Sequence, residues 1–311
     1  MAAAVPMLFG LATQARAQPA HVILLGIVSI SASEANNARF IRGAEKEAAA
    51  KGWTVSVIDA QGSADQANTA MQNLVQRKAG AIIDLVFPAT SLGAGLAATR
   101  AAGIPVATWG GGLGRGVVAT NGSGGPLATP IIEAVVHDMG STGALLALTY
   151  HTREVCRQRE QVADGILSRT PGIAVTRNEV RIPGYFQDGA QYATAWLASH
   201  PEGSGKLAVW GCWDDPAIGA ISALRQQRRP DVKVYGENGN AQAIDAIQKG
   251  HMAATAWQDS AGEGGKLVDT LAEAITAGSA WQSRAVEVAP VIVTAANVDA
   301  FVKDHPDALG K

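Results

Sequence analysis

Four of the seven tryptophans stand where a predicted strand ends: Trp109, Trp210, Trp213 and Trp257. In open α/β sheets, ligands bind beyond the carboxyl ends of the strands. An indole offers a flat apolar face and one N–H donor, which suit the C–H face of a sugar or an aromatic ring. Trp210 closes the apolar run Leu207–Trp210 and is interpreted as a core residue, whereas loop residues follow Trp109 and Trp213. The pattern predicts that Trp109 and Trp213 contact a small ligand.

The residue types that perform catalysis show no recognisable arrangement. The patterns G-x-S-x-G, H-E-x-x-H, C-x-x-C and G-x-x-x-x-G-K-[ST] do not occur, and the six histidines are dispersed. Gly93–Ala98 matches the dinucleotide pattern G-x-G-x-x-A, but it stands beyond Pro88 rather than in a strand-to-helix turn. We interpret these small residues as helix packing. The sequence favours a protein that is not an enzyme and needs no metal or cofactor, and an enzyme on the same fold stays the weaker alternative.

Composition and charge restrict the class further. The chain has 311 residues, of which 47% are hydrophobic and 17% charged, so it can fill a core and is not a disordered chain. Its formal net charge of -2 argues against a nucleic-acid binder, which needs a basic surface. Two cysteines are too few for a zinc site or a disulfide scaffold.

The first residues are typical of a secretory signal. A short apolar run ends at Ala15-Arg16-Ala17, which has the small-residue pattern of a cleavage site. We predict a signal peptide over residues 1–17, cleaved near Ala17, and a mature protein exported to the periplasm. An apolar N-terminal helix of the fold is the alternative.

Strands and helices are predicted to alternate along the rest of the chain. Apolar runs of strand length separated by helical patterns indicate parallel sheets buried on both faces. The ten expected strands form two sets of five, and a further strand is expected over Ala285–Val293. The ten are His21–Ile30, Trp53–Asp59, Ala81–Val86, Ile104–Trp109, Val117–Asn121, Ala144–Tyr150, Ile173–Arg181, Lys206–Trp210, Val232–Tyr235 and Met252–Trp257.

An ordered series of short phrases between residues 21 and 303 resembles the type I periplasmic solute-binding proteins, in particular the ribose-binding-like sugar branch of ABC importers. The phrases include Arg42-Gly43-Ala44-Glu45, Gly80-Ala81-Ile82-Ile83, Ala102-Gly103-Ile104-Pro105-Val106, Asp214-Asp215-Pro216-Ala217-Ile218-Gly219-Ala220 and Pro290-Val291-Ile292-Val293-Thr294.

The resemblance implies an α/β fold of two doubly wound lobes with strand order 2-1-3-4-5, joined by three crossovers around a ligand cleft. We place the crossovers near Asn121–Ser123, Gln258–Ser260 and Arg284–Glu287. The N-terminal lobe is then expected over residues 21–122 and 259–284, and the C-terminal lobe over residues 123–258 and 285–311. A LacI-type repressor shares this fold, but it needs a DNA-binding headpiece of about 60 residues before the first strand. Because the first strand is expected to begin at His21, the sequence argues against a repressor.

The resemblance also implies ligand-binding positions. Arg153, Arg157 and Arg159 are all slightly out of register with an arginine that holds the ligand in this family, and Arg157 is chosen. The residues expected to bind the ligand are Ser31, Glu34, Asn37, Trp109, Gly110, Tyr150, Arg157, Tyr185, Trp213, Asp214, Asn238 and Gln258. The Asp-Arg pair that the sugar binders carry after the fourth strand is replaced by Gly110-Gly111, so the cleft is expected to have lost charge and gained indole.

This expectation points to a small neutral solute, either a sugar, a polyol or a sugar-like compound. An aromatic or otherwise less polar solute, or a ligand sensor that feeds a receptor, remains the alternative. The resemblance implies the membrane permease subunits of an ABC importer as partners, a monomer, and no nucleic acid.

The two cysteines are expected to be neighbours. Cys156 follows strand six and Cys212 follows strand eight, and these strands are adjacent in the order 2-1-3-4-5. Both thiols should therefore lie at the same sheet edge. A disulfide, which an oxidising compartment would permit, and two free half-buried thiols both remain open.

Overall fold

The computed structural model describes residues 22–122, 124–286 and 288–309, so the predicted signal peptide lies outside the described residues. The strands are β1 (Leu24–Ser29), β2 (Thr54–Asp59), β3 (Ala81–Leu85), β4 (Val106–Trp109), β5 (Val117–Asn121), β6 (Gly143–Thr149), β7 (Ile173–Glu179), β8 (Leu207–Gly211), β9 (Val232–Asn238), β10 (Ala254–Trp257), β11 (Arg284–Ala285) and β12 (Val291–Thr294). The helices are α1 (Ala35–Ala50), α2 (Ala64–Gln76), α3 (Gly93–Ala101), α4 (Gly125–Met139), α5 (Glu154–Leu167), α6 (Tyr185–Ala198), α7 (Asp214–Gln226), α8 (Ala241–Gln248), α9 (Ser260–Ala277) and α10 (Val298–Asp304).

The strands form two sheets, and each sheet is the centre of one lobe. The first has the order β2-β1-β3-β4-β5-β11 and the second the order β7-β6-β8-β9-β10-β12. Both contain the order 2-1-3-4-5 that the resemblance implies, and each adds a sixth strand at one edge. The predicted fold class of two doubly wound lobes is therefore confirmed.

The apolar strands explain why the sheets are buried on both faces. Every residue of β3 and of β8 is buried, and only the first residue of β1 is not. Helices packed on both sides of a parallel sheet leave no face for water, so continuous apolar runs replace the alternation of half-exposed strands. No helix within the described ranges is long and apolar enough to span a bilayer.

The expectation of a single strand over Ala285–Val293 is wrong. β11 ends at Ala285 and pairs in parallel with β5 of the first sheet, whereas β12 begins at Val291 and runs antiparallel to β10 of the second sheet. Pro290 stands just before β12 and lacks the N–H that a ladder needs. The segment therefore passes from one lobe to the other instead of extending one strand.

Helices α1 and α9 pack so closely that their contact requires glycine on both sides. A Cβ atom at Gly43 would lie 1.9 Å from the carbonyl oxygen of Ala261, and one at Gly264 would lie 2.3 Å from that of Phe40. Both obstacles are backbone atoms, which cannot move aside as a side chain can. The contact fixes how the N-terminal ends of α1 and α9, which carry cleft residues, meet.

We expect Gly43→Ala to lower the free energy of unfolding by about 1–3 kcal/mol or more, because the added methyl group forces α1 and α9 apart. Urea denaturation followed by circular dichroism measures this. Gly165→Ala in α5 is the matched control, since a Cβ atom there meets nothing within 4 Å. The control should gain about 0.5–1 kcal/mol from helix propensity. An unchanged midpoint for Gly43→Ala would contradict the close helix contact.

Candidate functional site

A cavity lies between the two lobes at the carboxyl ends of their strands. Its lining surrounds about 330 Å³ of empty space, part of which is open to solvent. The lining comes from loops that follow β1, β3, β4 and β5 in the first lobe and β6, β8, β9 and β10 in the second. The lining residues are Glu34, Asn36, Asn37, Val86, Trp109, Gly110, Gly122, Arg153, Val155, Cys156, Arg159, Trp213, Asn238 and Gln258.

Most of the residues expected to bind a ligand lie at this cavity. Those that line it are Glu34, Asn37, Trp109, Gly110, Trp213, Asn238 and Gln258. Tyr150 and Tyr185 stand behind Trp213, with ring centroids 6.3 Å and 5.7 Å from that of the indole. The carbonyl of Ser31 accepts a 2.7 Å hydrogen bond from the Asn37 side chain. Ser31 and the two tyrosines therefore support lining residues.

The structure places Arg157 and Asp214 away from the cavity, which corrects two of the expected ligand contacts. Arg157 pairs with Glu154 and with the carbonyl of His151. Asp214 is fully buried and accepts 2.7 Å hydrogen bonds from the backbone N–H of Asn240 and from the Thr255 hydroxyl. Its carboxyl group thus ties α7 to the loop after β9.

Arg153 and Arg159 line the cavity where the sequence reasoning chose Arg157. Arg159 lies three residues after Cys156 and four after Val155, so all three share one face of α5, and Arg157 falls on another. This helical spacing in the sequence could have indicated that Arg159, rather than Arg157, faces the cavity. Asn36, also missed as a contact, lies next to Asn37 in the first turn of α1.

Charged side chains line the cavity although the Asp-Arg pair after the fourth strand is absent. Glu34, Arg153 and Arg159 all line the cavity, and the structure shows all three as buried side chains. The charges come from the loops after β1 and β6, whereas the expectation rested on the loop after β4. The basis for restricting the solute to neutral compounds is therefore removed.

A buried arginine of the first lobe reaches the second lobe beside the cavity. Arg39 of α1 donates to the backbone carbonyls of Asn238 at 2.6 Å and Gly239 at 3.0 Å. It also donates to the side chain of Asn36 at 2.7 Å, and Asn36 in turn donates to Gln258 at 3.3 Å. These hydrogen bonds hold the two lobes together across the cleft.

Within the second lobe, Arg159 is paired with a carboxylate and donates two hydrogen bonds to its neighbours. Its Nε atom lies 2.9 Å from a carboxyl oxygen of Glu237, and its guanidinium donates to the Asn238 side chain at 2.9 Å and to the carbonyl of Cys212. Burial outweighs the attraction of Arg159 and raises the pKa of Glu237 to about 7.

Two lining residues adopt backbone conformations that L-residues rarely populate. Val86 has φ of 76° and Asn238 has φ of 101°. For a β-branched residue such as valine this conformation is a strong outlier, which costs about 1–3 kcal/mol and persists only where the surroundings enforce it. Its N–H bonds to the Trp109 carbonyl at 2.8 Å, so the outlier sits where two cleft loops meet.

Comparison with known proteins decides the family. Residues 25–279 match the family described as periplasmic binding protein domain. This chain belongs to that family. The family resemblance expected from the short sequence phrases is thereby confirmed.

Individual relatives of this periplasmic binding protein include the ribose import binding protein of Bacillus subtilis, 26% identical over 251 residues, which are 74% of this chain and 75% of the relative. Among solved structures, a solute-binding protein from Agrobacterium vitis with bound allitol has a TM-score of 0.84 and 22% identity, covering 91% of this chain and 98% of its own. One from Bacillus halodurans with bound myo-inositol has a TM-score of 0.79 and 22% identity, covering 90% and 96%. These structures share the fold.

Behind Trp109, the binding protein buries a carboxyl group that ties three elements together. Glu263 of α9 accepts a 2.6 Å hydrogen bond from the Trp109 indole and a 2.8 Å one from the Gln258 side chain. The ring of Phe40 packs against Trp109 at a centroid distance of 5.0 Å. Burial raises the pKa of Glu263 from its usual 4.5 to about 7.

The raised pKa gives Glu263 a defined effect on stability. Its contribution is fully present below the unfolded pKa of 4.5 and is lost as pH rises through the folded value of about 7. We expect Glu263→Gln, which cannot ionise, to make the free energy of unfolding fall less steeply over this window, by up to about 1.4 kcal/mol per pH unit. Chemical denaturation at a series of pH values measures the slope.

The control for this series is Glu273→Gln, an exposed residue of the same helix that pairs with Arg284 at the surface. Its stability curve should run parallel to that of the wild type. A parallel curve for Glu263→Gln as well would show that Glu263 does not carry the raised pKa.

The two cysteines are neighbours beneath the cavity. Cys156 and Cys212 are buried free thiols whose Sγ atoms lie 2.7 Å apart, and Cys156 lines the cavity. Burial raises the pKa of the Cys212 thiol well above its usual value. The expected placement at one sheet edge is thus found, while the oxidation state of the pair stays a prediction.

We expect the two thiols to form a disulfide when the protein folds in an oxidising compartment. The cross-link would stabilise the fold by about 4 kcal/mol on the chain-entropy account. Thiol titration of unreduced, denatured protein should then find no free thiol, and the intact mass should fall by two hydrogen atoms. Cys212→Ser supplies the one-thiol reference. Two titratable thiols in the wild type would refute the disulfide.

Proposed function

We propose that the protein captures a small polyhydroxylated solute, a sugar, a polyol or a close derivative, and delivers it to the permease of an ABC importer. The observation that carries this proposal is the interlobe cavity, in which two indoles and a set of buried polar groups from both lobes converge. Membership of the periplasmic binding protein family supports the binding role, and the ribose import relative supports the solute class.

The geometry supports binding by closure of two lobes. Trp109 of the first lobe and Trp213 of the second supply apolar faces, while Asn37, Asn238 and Gln258 supply amide donors and acceptors. A polyhydroxylated ring presents both kinds of surface. Closure around it removes the indoles from water and aligns the bonds that Arg39 makes to the opposite lobe.

Delivery requires export, and the apolar run of residues 1–17 supports a periplasmic location. The proposal includes no chemical change of the solute. An aromatic solute is the second candidate, because the two indoles would stack on it as well as on a sugar.

We expect Trp213→Ala and Trp109→Ala each to weaken solute binding at least about tenfold, since truncating a central aromatic anchor removes much of the buried contact. A thermal-shift panel that contains ribose, allitol, myo-inositol and simple aromatic acids first identifies a binding solute, and isothermal titration then measures its affinity. The panel also decides between the polyhydroxylated and the aromatic candidates.

Trp196→Ala is the control for these substitutions. Trp196 is buried on α6, where it stacks on His200 with a centroid distance of 4.3 Å, and it does not line the cavity. Its loss should lower the melting temperature more than the affinity. Folded cleft variants that keep wild-type affinity would show that Trp109 and Trp213 are packing residues.

A further inference from the structure

Arg153 is a buried cation, and two of its three guanidinium nitrogens have no hydrogen-bond partner. It stands between β6 and α5, lines the cavity, and is only 3% exposed. Its Nε and Nη2 atoms are buried and have no hydrogen-bond partner, and the ion pairs found among the described residues do not include it. An arginine remains charged in proteins, so this guanidinium is a buried charge that no carboxylate of the described residues contacts as an ion pair.

The surroundings of Arg153 hold its guanidinium in place without neutralising it. The guanidinium carbon lies 5.0 Å from the ring centroid of Trp213 and 5.7 Å from that of Tyr150. Cation–π contacts of this kind orient the group but do not satisfy its N–H donors. Arg159, which lines the same cavity, is in contrast paired with Glu237 and Asn238.

Asp215 attracts Arg153 electrostatically, but the two side chains form no hydrogen bond or contact ion pair among the described residues. Burial raises the pKa of Asp215 well above its usual value, and the positive charge of Arg153 only partly opposes that rise. Asp215 accepts a 2.6 Å hydrogen bond from the Asn240 side chain instead. Glu34, on the opposite lobe, accepts from the backbone N–H of Asn37 with one oxygen, and its other oxygen, Oε1, has no partner.

The two unpartnered nitrogens of Arg153 form one edge of the guanidinium fork. The N–H groups on Nε and Nη2 point the same way, and their spacing matches the two oxygens of a carboxylate, which can be bound by both at once. The first turn of α5 lies at the same place, and the positive end of a helix favours an anion. The geometry of the donors and the positive charge therefore both favour a carboxylate as the ligand group.

We propose that the solute carries a carboxylate, so that it is a sugar acid or another polyhydroxy acid, and that Arg153 binds this carboxylate through its Nε and Nη2 edge. The free oxygen of Glu34 accepts a hydrogen bond from a hydroxyl of the same solute. This inference rests on the proposed function and narrows its solute class.

Matched pairs of acid and neutral compounds test the proposal. The pairs are D-ribonate with ribitol, D-allonate with allitol and D-glucuronate with D-glucose, measured by isothermal titration at one ionic strength. We expect at least one acid to bind about tenfold or more tightly than its neutral partner, equivalent to 1.4 kcal/mol. Arg153→Met should abolish this preference, and Arg153→Lys should retain part of it because one ammonium keeps the charge but not the fork.

Arg177→Met is the control that removes an equal charge from the same lobe. Arg177 lies on β7, pairs with Asp164 at the surface, and is not part of the cavity. The control should keep the preference for the acid. Should Arg153→Met fail to fold, as judged by circular dichroism, the comparison of acids with neutral partners in the wild type decides alone.

Three results would overturn the inference and leave the proposed function standing. Neutral partners that bind as tightly as the acids would show that no carboxylate is recognised. Equal weakening of acid and neutral compounds by Arg153→Met would show that Arg153 serves the closed form, for instance opposite Glu34. Binding of D-ribose 5-phosphate but of none of the acids would assign the fork to a phosphate and overturn the carboxylate. Binding of an aromatic acid and of no polyhydroxylated compound would overturn both proposals.

Discussion

Arg39 lies in α1 of the first lobe and donates hydrogen bonds to the backbone of the second lobe. Its donors reach the carbonyls of Asn238 and Gly239, at the point where β9 ends and the chain turns. A buried guanidinium tolerates no unfilled donors without a large cost, so these carbonyls must stand where they do whenever the lobes are closed. The cavity, the position of Asn238 and the approach of α1 all depend on this contact. The other cleft residues are arranged around this fixed contact between the lobes.

The fold was predictable from the sequence because parallel sheets leave an unmistakable pattern. Leu207–Gly211 is apolar throughout and Ala81–Leu85 is apolar except for the buried Asp84, and helical spacing separates the two runs. The edge strands were not predictable in the same way. β11 has two residues, and β12 gains its stability by pairing antiparallel with β10, a partner more than thirty residues earlier in the chain. Local pattern carries no information on such a pairing, and Pro290 was the only local mark of the break.

The candidate site, like the fold, was predictable from the sequence only in part. Trp109 and Trp213 were found because a strand end fixes where a following side chain lies, whatever the helices do. The arginines were not, because the face on which Arg153, Arg157 or Arg159 lies depends on the residue at which α5 begins, and α5 begins at Glu154. A shift of one residue turns the side chain by about 100° on a helix of 3.6 residues per turn. The raised pKa values of Glu237 and Glu263 were equally out of reach, since desolvation is set by packing around the group and not by its neighbours in sequence.

Trp213 connects the aromatic and the charged halves of the cleft. Its ring faces Arg153, and Tyr185 and Tyr150 make edge contacts with it. The indole therefore already has contacts within the protein and is not only a stacking surface for a solute. A guanidinium held against an indole keeps its edge N–H groups free for a planar anion, which is how one residue can serve both stacking and anion recognition. Residues that share a contact of this kind do not contribute independently to binding. In the proposed mode of binding, Trp213 and Arg153 therefore contribute to the affinity as one unit, and a solute that contacts only the indole uses only part of the surface that the second lobe presents.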